Sequence, residues 1–452
     1  MRSLTLALLC ASATADFEVK GPIGEKIVVK TRKDPFTYHH VSTTPVEHPL
    51  YDDVVVEFFK SDPILLMKGE AWFTLPDVHR LPMPSPGVPY GLLKASYDIV
   101  HSDTGLPAAL SEMYSHHWLV YDKLVGSSGF NIGCGGQNTF VSNVYGAGGE
   151  MRGISYDYPP GHGKIYPGDA NTYWSGNVHF IRTEDLKQKN GESYGAALKR
   201  CIECNYEFGR APECVPGLGT TAIFACCFDG SRCTVNNPKD KTKKSYQLVY
   251  NVTYTKQVDK VLDMNTFVID AFNCNICENL APNVKTAWTQ CDDKVCKTQG
   301  TRTVPYSGTI RWAYTHQHTG AINSTMLVNG VPHCTSYPHW GTDPHNAPGN
   351  EKGYAVGFHM CINPDTDKGI HVKKGDNITV LAHISVDPED TTSLPIPGGE
   401  RHGFMNLFYF VMHPDDATDE YACQNNVCVP EAGGVPLKTC QAACGGQGAP
   451  IV

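Results

Sequence analysis

From Ser245 to Tyr254 the chain alternates strictly. Tyr246, Leu248, Tyr250, Val252 and Tyr254 are large and apolar or aromatic, and their neighbours are more polar; the same alternation returns at Ile378, Val380, Ala382, Ile384 and Val386. A period of two sends successive side chains to opposite faces of an extended chain, so one set is buried and the other wetted, whereas a helix would scatter them around its axis. Shorter apolar runs such as Val54 to Val56 and Ala71 to Phe73 alternate with Pro/Gly clusters such as residues 81–87. With 43 Gly, 31 Pro, 10% aromatic and only 18% charged residues, turns and β-pairing are favoured over long helices. The predicted class is all-β, with two β-sandwich (jelly-roll-like) domains.

A chain of 452 residues exceeds what one core normally supports. Composition divides it into an N-terminal leader (1–15), a first sandwich (16–195), a Cys-rich insertion (196–240), a second sandwich (241–414) and a Cys-rich tail (415–452). The leader has a basic Arg2, an apolar stretch from Leu4 to Ala11, and the small residues Ala13-Thr14-Ala15 before Asp16, the pattern of a secretory signal. The expected location is therefore extracellular or in the secretory lumen. Eighteen cysteines agree, because thiols at that density persist as disulfides in an oxidising milieu. Asn251, Asn323 and Asn377 each open an Asn-x-Thr/Ser sequon and are glycosylation candidates. No later segment approaches eighteen unbroken apolar residues, so no transmembrane helix is expected. A formal charge of −9 without a Lys/Arg cluster argues against nucleic acid as a partner.

Four places hold side chains that ligate soft or borderline metals: His116-His117, His179, His316-Gln-His318, and Met405 after His402-Gly-Phe. Imidazole suits copper in both oxidation states, and a thioether favours Cu(I), so this mixture points to copper more than to zinc. His316 and His318 share one face if their segment is a strand. His116 and His117 are adjacent and would point apart, unless a bulge or local twist re-aims one of them. In a chain with 19 His, such pairs are most often structural when met singly. His402, His413, Met360 and Met412 compete for the same roles.

Taken together and in order, these segments resemble the copper type II, ascorbate-dependent monooxygenases, the family of peptidylglycine hydroxylating monooxygenase and dopamine β-monooxygenase. The matching stretches are His116-His117-Trp-Leu-Val, Tyr145-Gly-Ala-Gly-Gly149 through Tyr158-Pro-Pro-Gly161 to Val178-His179, His316-Gln-His318-Thr-Gly320, and Met405-Asn-Leu-Phe-Tyr409. A closer resemblance is to the secreted plant stress up-regulated nodulin (Nod-nineteen) family. It is carried by Gly146-Ala-Gly-Gly-Glu-Met-Arg-Gly153, Cys226-Cys227, His316-Gln-His-Thr-Gly320, Gly349-Asn-Glu-Lys-Gly-Tyr354 and Arg401-His-Gly-Phe-Met405.

The monooxygenase resemblance implies two copper ions, one held by His116, His117 and His179 and the other, O2-activating, by His316, His318 and Met405. It also implies ascorbate as reductant and a small-molecule or peptide substrate whose C–H bond is hydroxylated with O2. Tyr314 stands where the amidating enzymes place a carboxylate-binding arginine, which argues against a peptidylglycine substrate. The alternative is a non-enzymatic secreted stress or surface-binding protein on the same scaffold. Cys334 and Cys361 lie between the His-x-His and the Met and are expected to pair as a brace of the second sandwich. Cys423, Cys428, Cys440 and Cys444 are expected to form two disulfides in a tail too short for its own core. Cys274-x2-Cys277 with Cys291-x4-Cys296 has zinc-like spacing, but in a secreted chain disulfides are favoured.

Overall fold

The computed structural model describes residues 17–20, 26–29, 37–69, 71–73, 80–122, 143–152, 156–170, 172–186, 190, 236–237, 239–271, 290–291, 294–304, 306–317, 321–363, 368–385, 406–415, 420–424, 427–430 and 435–436. The leader, most of the Cys-rich insertion, and Cys440 and Cys444 lie outside them. Among the described residues the regular structure is strand, apart from two short 3-10 turns, and the all-β expectation holds.

Four sheets carry the architecture. Sheet I contains strands Asn143–Ala147, Met113–Asp122, Tyr173–Arg182 and Ala71–Phe73 in that spatial order. The larger sheet II is built on strands His162–Tyr166, Tyr90–His101, Lys243–Thr255 and Val55–Ser61. Sheet III orders Asn265–Asp270, Asn406–Pro414, Gly308–Gln317 and Ile370–Val372. Sheet IV is centred on Asn377–Ser385, flanked by Val295–Thr303 and Ala321–Val328, with Val331–Ser336 outside the latter.

The alternating stretch 243–255 lies inside sheet II. It pairs with 90–101 on one side and with 55–61 on the other, and Tyr246, Leu248, Tyr250, Val252 and Tyr254 are its buried face. This corrects one expectation, because a strand assigned by sequence to the opening of the second sandwich completes the first one. Alternation announces that a strand has a buried face and says nothing about which sheet supplies the partner. The chain passes to sheet III only after Thr255, through a short turn and the two-residue strand Leu262–Asp263.

Sheets I and II pack face to face around Trp118, Trp174, Tyr97 and Tyr250. The Trp118 and Tyr97 rings lie 5.0 Å apart, within the range of favourable aromatic contact. Sheets III and IV enclose a second core that includes Phe408, Phe410, Met412, Met326, Val380 and Ala382. Residues Asn406 to Met412 are all buried because sheet III is covered on both sides. Phe408, Phe410 and Met412 face sheet IV, whereas Leu407, Tyr409 and Val411 join the core of the first sandwich. A strand buried on both faces loses the polar half of its alternation, hence the unbroken run Leu407-Phe-Tyr-Phe-Val-Met412.

Cys334 and Cys361 form the expected disulfide, with Cα atoms 5.1 Å apart. Cys296 is disulfide-bonded, in line with that choice over zinc. In the tail, Cys423 stands opposite Cys428 in a hairpin.

Candidate metal centre on two facing sheets

His117 sits in the middle of strand Met113–Asp122 and is 1% exposed. In the pairing with Tyr173–Arg182 its register partner is His179, while the next pair is Phe180 with Ser115. One residue, His116, is therefore spent without a partner. This is a β-bulge, two residues opposing one, and it supplies the backbone irregularity that adjacent His116 and His117 need in order to serve one ion. Directly opposed residues on antiparallel strands have Cβ atoms about 4.5–5.5 Å apart. The register thus gathers the first three candidate residues within two strands.

The face that carries His117 follows from its neighbours. Trp118 points into the sheet I–sheet II core, so His117, Leu119 and Tyr121 lie on the opposite face. Leu119 pairs with Gly146, and a Cβ placed on Gly146 would collide with the Tyr409 hydroxyl and touch Leu119. This side of sheet I therefore packs against sheet III. Burial raises the Tyr121 and Tyr314 phenols well above their ordinary range, helped for both by nearby Tyr409. Neither ionises near neutral pH.

On sheet III, Trp312 and Tyr314 point to the same interface. Tyr314 stacks on Tyr409 at 4.9 Å and Trp312 meets Tyr156 of sheet II at 4.7 Å. His316 lies two residues beyond Tyr314 on the same strand, hence on the same face, and is 1% exposed. Its register partner is Leu407, and the following pair is Gln317 with Asn406. His318 and Met405, the next residues in sequence after that last pair, lie outside the described residues.

On the far side of the strand, Gln317 Nε2 donates to Thr315 Oγ1 (3.0 Å), Thr315 to Ser336 Oγ (2.9 Å) and Ser336 to the His359 carbonyl (2.7 Å). Asn406 Nδ2 donates to Ser324 Oγ. These bonds hold the ends of both strands against sheet IV. A segment from Ala355 to Ile362 spans the two histidine-bearing sheets. Cys361 N donates to Ala313 O (2.9 Å) on sheet III, and Ala355 O stands 3.1 Å from where a Gly149 Cβ would be, just past the edge strand of sheet I.

The two glycine-containing family segments meet here as well. Arg152 forks onto Asp98, at 2.9 Å from Nε and 2.8 Å from Nη2, and donates to Ala108 O (2.6 Å) and to Glu351 Oε1 (3.4 Å). The Glu351 side chain is fully buried and also accepts from Leu110 N (2.8 Å) and Gly349 N (2.9 Å). Arg152 and Glu351 therefore join the segments around Gly146–Arg152 and Gly349–Tyr354 in a clasp, a structural role that no sequence pattern distinguishes from a catalytic one.

Among the described residues no group of three or more His, Cys, Asp or Glu converges on a common point. The residue types fit a borderline ion such as copper: His117 and His179 stand at paired register positions with His116 in the bulge beside them, and His117 and His316 are buried. Of the rivals, His402 lies outside the described residues. His413 Nδ1 bonds the Asp263 carbonyl (3.1 Å), Met412 is in the sheet III–IV core, and Met360 is partly buried against the first core. His383 Nδ1 donates to Asn323 Oδ1 (2.8 Å). Of the sequon residues, Asn377 is exposed, whereas Asn251 and Asn323 are half-buried.

A model of the family described as stress up-regulated Nod 19 matches residues 58–412. No curated protein matches the chain. Among solved structures, recombinant peptide:N-glycanase F (PNGase F) matches at 7% identity over 85% of this chain and 97% of that one, with a TM-score of 0.30, a superposition too loose to carry an argument about architecture or activity.

Proposed function

Because the chain belongs to the stress up-regulated Nod 19 family, we propose that it is a secreted copper protein in which sheet I offers His116, His117 and His179 and sheet III offers His316, His318 and Met405. One observation carries this reading: His179 is the register partner of His117 across a bulge at His116, and the face of sheet I that bears His117 packs against the face of sheet III that bears His316. The sequon-bearing, disulfide-braced chain suits an oxidising compartment.

Copper in this donor set supplies one-electron redox chemistry toward O2, with ascorbate as the reductant and hydroxylation of a substrate C–H bond as the outcome. The chain's own residues do the rest. Strand register and the bulge set the backbone positions of His116, His117 and His179. Trp312, Tyr314 and Tyr409 exclude water beside His316. The hydrogen bonds from Gln317 through Ser336 anchor the strand that carries it.

The test is copper stoichiometry measured alongside ascorbate-dependent O2 uptake. Two ions per chain are expected, with one lost in His117→Ala or His179→Ala and the other lost in His316→Ala. Met405→Ile keeps volume and packing to within ~1.5 kcal/mol while weakening Cu(I) binding on sheet III only. A chain that takes up no copper after reconstitution would overturn the proposal and leave a non-enzymatic binding scaffold.

A further inference from the structure

Where the chain crosses from sheet II to sheet III, two histidines outside the set above come together. His162 opens strand His162–Tyr166 of sheet II and pairs with Leu262 in the crossing segment, while His413 lies near the end of strand Asn406–Pro414 of sheet III. Their ring centroids are 5.6 Å apart, with planes at 82°. Both are half-buried and within reach of solvent.

Each ring is held by a backbone carbonyl: His162 Nδ1 lies 3.0 Å from Pro160 O and His413 Nδ1 3.1 Å from Asp263 O. A carbonyl only accepts, so each Nδ1 carries the proton and each neutral ring keeps its lone pair on Nε2. Anchoring of the distal nitrogen by a carbonyl is how proteins orient ligating imidazoles. Burial lowers the His162 pKa, and His413 and Arg311 nearby lower it further, which favours the neutral, ligand-ready form. Two imidazoles bound to one tetrahedral zinc at about 2.0–2.1 Å have ring centroids about 5 Å apart, close to the spacing in place.

We propose that His162 and His413 are a two-imidazole site for a borderline divalent cation of the Zn2+ class, which ties sheet II to sheet III at the crossing. Among the described residues no third His, Cys, Asp or Glu joins them, so the protein's contribution to the site is the two imidazoles. Lys164 is engaged by Asp263 Oδ2 (3.4 Å) and Asn265 Oδ1 (3.1 Å), whereas Arg311, which donates to Lys368 O (2.5 Å), adds positive charge beside the site and weakens it.

The full chain is titrated with Zn2+ in a calorimeter and its thermal midpoint is followed, because an ion bound to the folded state alone raises stability. His162→Ala and His413→Ala should each lose the same single equivalent of Zn2+ and the accompanying rise in midpoint. The double variant should lose no more than either single one. His117→Ala and His316→Ala should leave that equivalent in place, which separates this site from the copper reading, and Arg311→Gln should tighten it. His162→Gln serves as a second variant if His162→Ala alters the fold. Unchanged zinc uptake in both single variants, or losses that add in the double one, would overturn the site.

Discussion

The two histidine-bearing strand pairs use the same device, antiparallel register, to different effect. In sheet I the register sets His179 directly against His117, with the unpaired His116 between two paired positions, so the grouping is complete within two strands. In sheet III the partner of His316 is Leu407, and any convergence depends on residues beyond the last described pair, Gln317 with Asn406. Both pairings are irregular, but the shift in sheet I falls at His116 itself, whereas that in sheet III falls between Ile310 and Trp312, and the ladder around His316 is regular. The two are also secured differently: sheet I leans on a buried ionic clasp, and the neighbourhood of sheet III on a disulfide.

The largest effect that could break this contrast is expected at the clasp. Glu351→Ala strands the Leu110 and Gly349 amides and removes one partner of Arg152, which still keeps Asp98. Denaturant unfolding should show a loss of about 3 kcal/mol, and a change under 1 kcal/mol would mean that the clasp is dispensable. On the sheet III side, replacing Cys334 and Cys361 together by Ala reopens a loop with a sequence separation of 27. By the chain-entropy relation this costs about 3.5 kcal/mol. Comparable losses in the two variants would show that covalent and ionic ties do equal duty; on the proposed copper reading the clasp variant should additionally weaken copper uptake at sheet I.

Between the two sheets, Gly146→Ala would drive a methyl into the Tyr409 hydroxyl and against Leu119. Overpacking of this kind costs roughly 1–3 kcal/mol, with near-ultraviolet dichroism reporting the displaced tyrosine. Wild-type stability and an unchanged spectrum would mean that the sheets are not in firm contact there.

The smallest effect is at the surface. Hydrogen bonds from Thr242, joined by Lys68 at 3.2 Å, bring the Asp240 carboxyl from 3.8 to about 2. A depressed carboxylate pKa stabilises the fold above the unfolded value and loses that contribution as pH falls through the folded one. Asp240→Asn should therefore differ slightly from wild type at neutral pH, and the two should converge between pH 3.8 and 2. A difference that persists below that window would exclude the carboxylate as its source. Exposure and salt screening keep it small.

Much of the fold was legible in the chain. The alternation at 245–254 and from Ile378 to Ile384 became strands with the buried faces it marks, Val386 lying outside the described residues, and the short run Ala71–Phe73 became the edge of sheet I. His116-His117 carried its own puzzle, since adjacent ligands need a bulge, and the register contains one. Arg152 and Glu351 stood inside quoted segments, yet nothing local indicates that residues 199 apart share a buried contact. His162 belonged to no motif, and His413 stood in the sequence only as a rival ligand near Met405, with nothing to join the two.

By itself the sequence determined the all-β class, the disulfide partners Cys334 and Cys361, and the kinds of side chain available to a metal, because periodicity, oxidation chemistry and ligand softness are properties of residues and their near neighbours. Only the tertiary structure decided that strand 243–255 completes the first sandwich, that sheet III is buried on both faces, and that His117 and His316 lie on sheet faces packed against each other. Strand pairing is a contest among all exposed edges at once, and its outcome depends on which faces can be covered together.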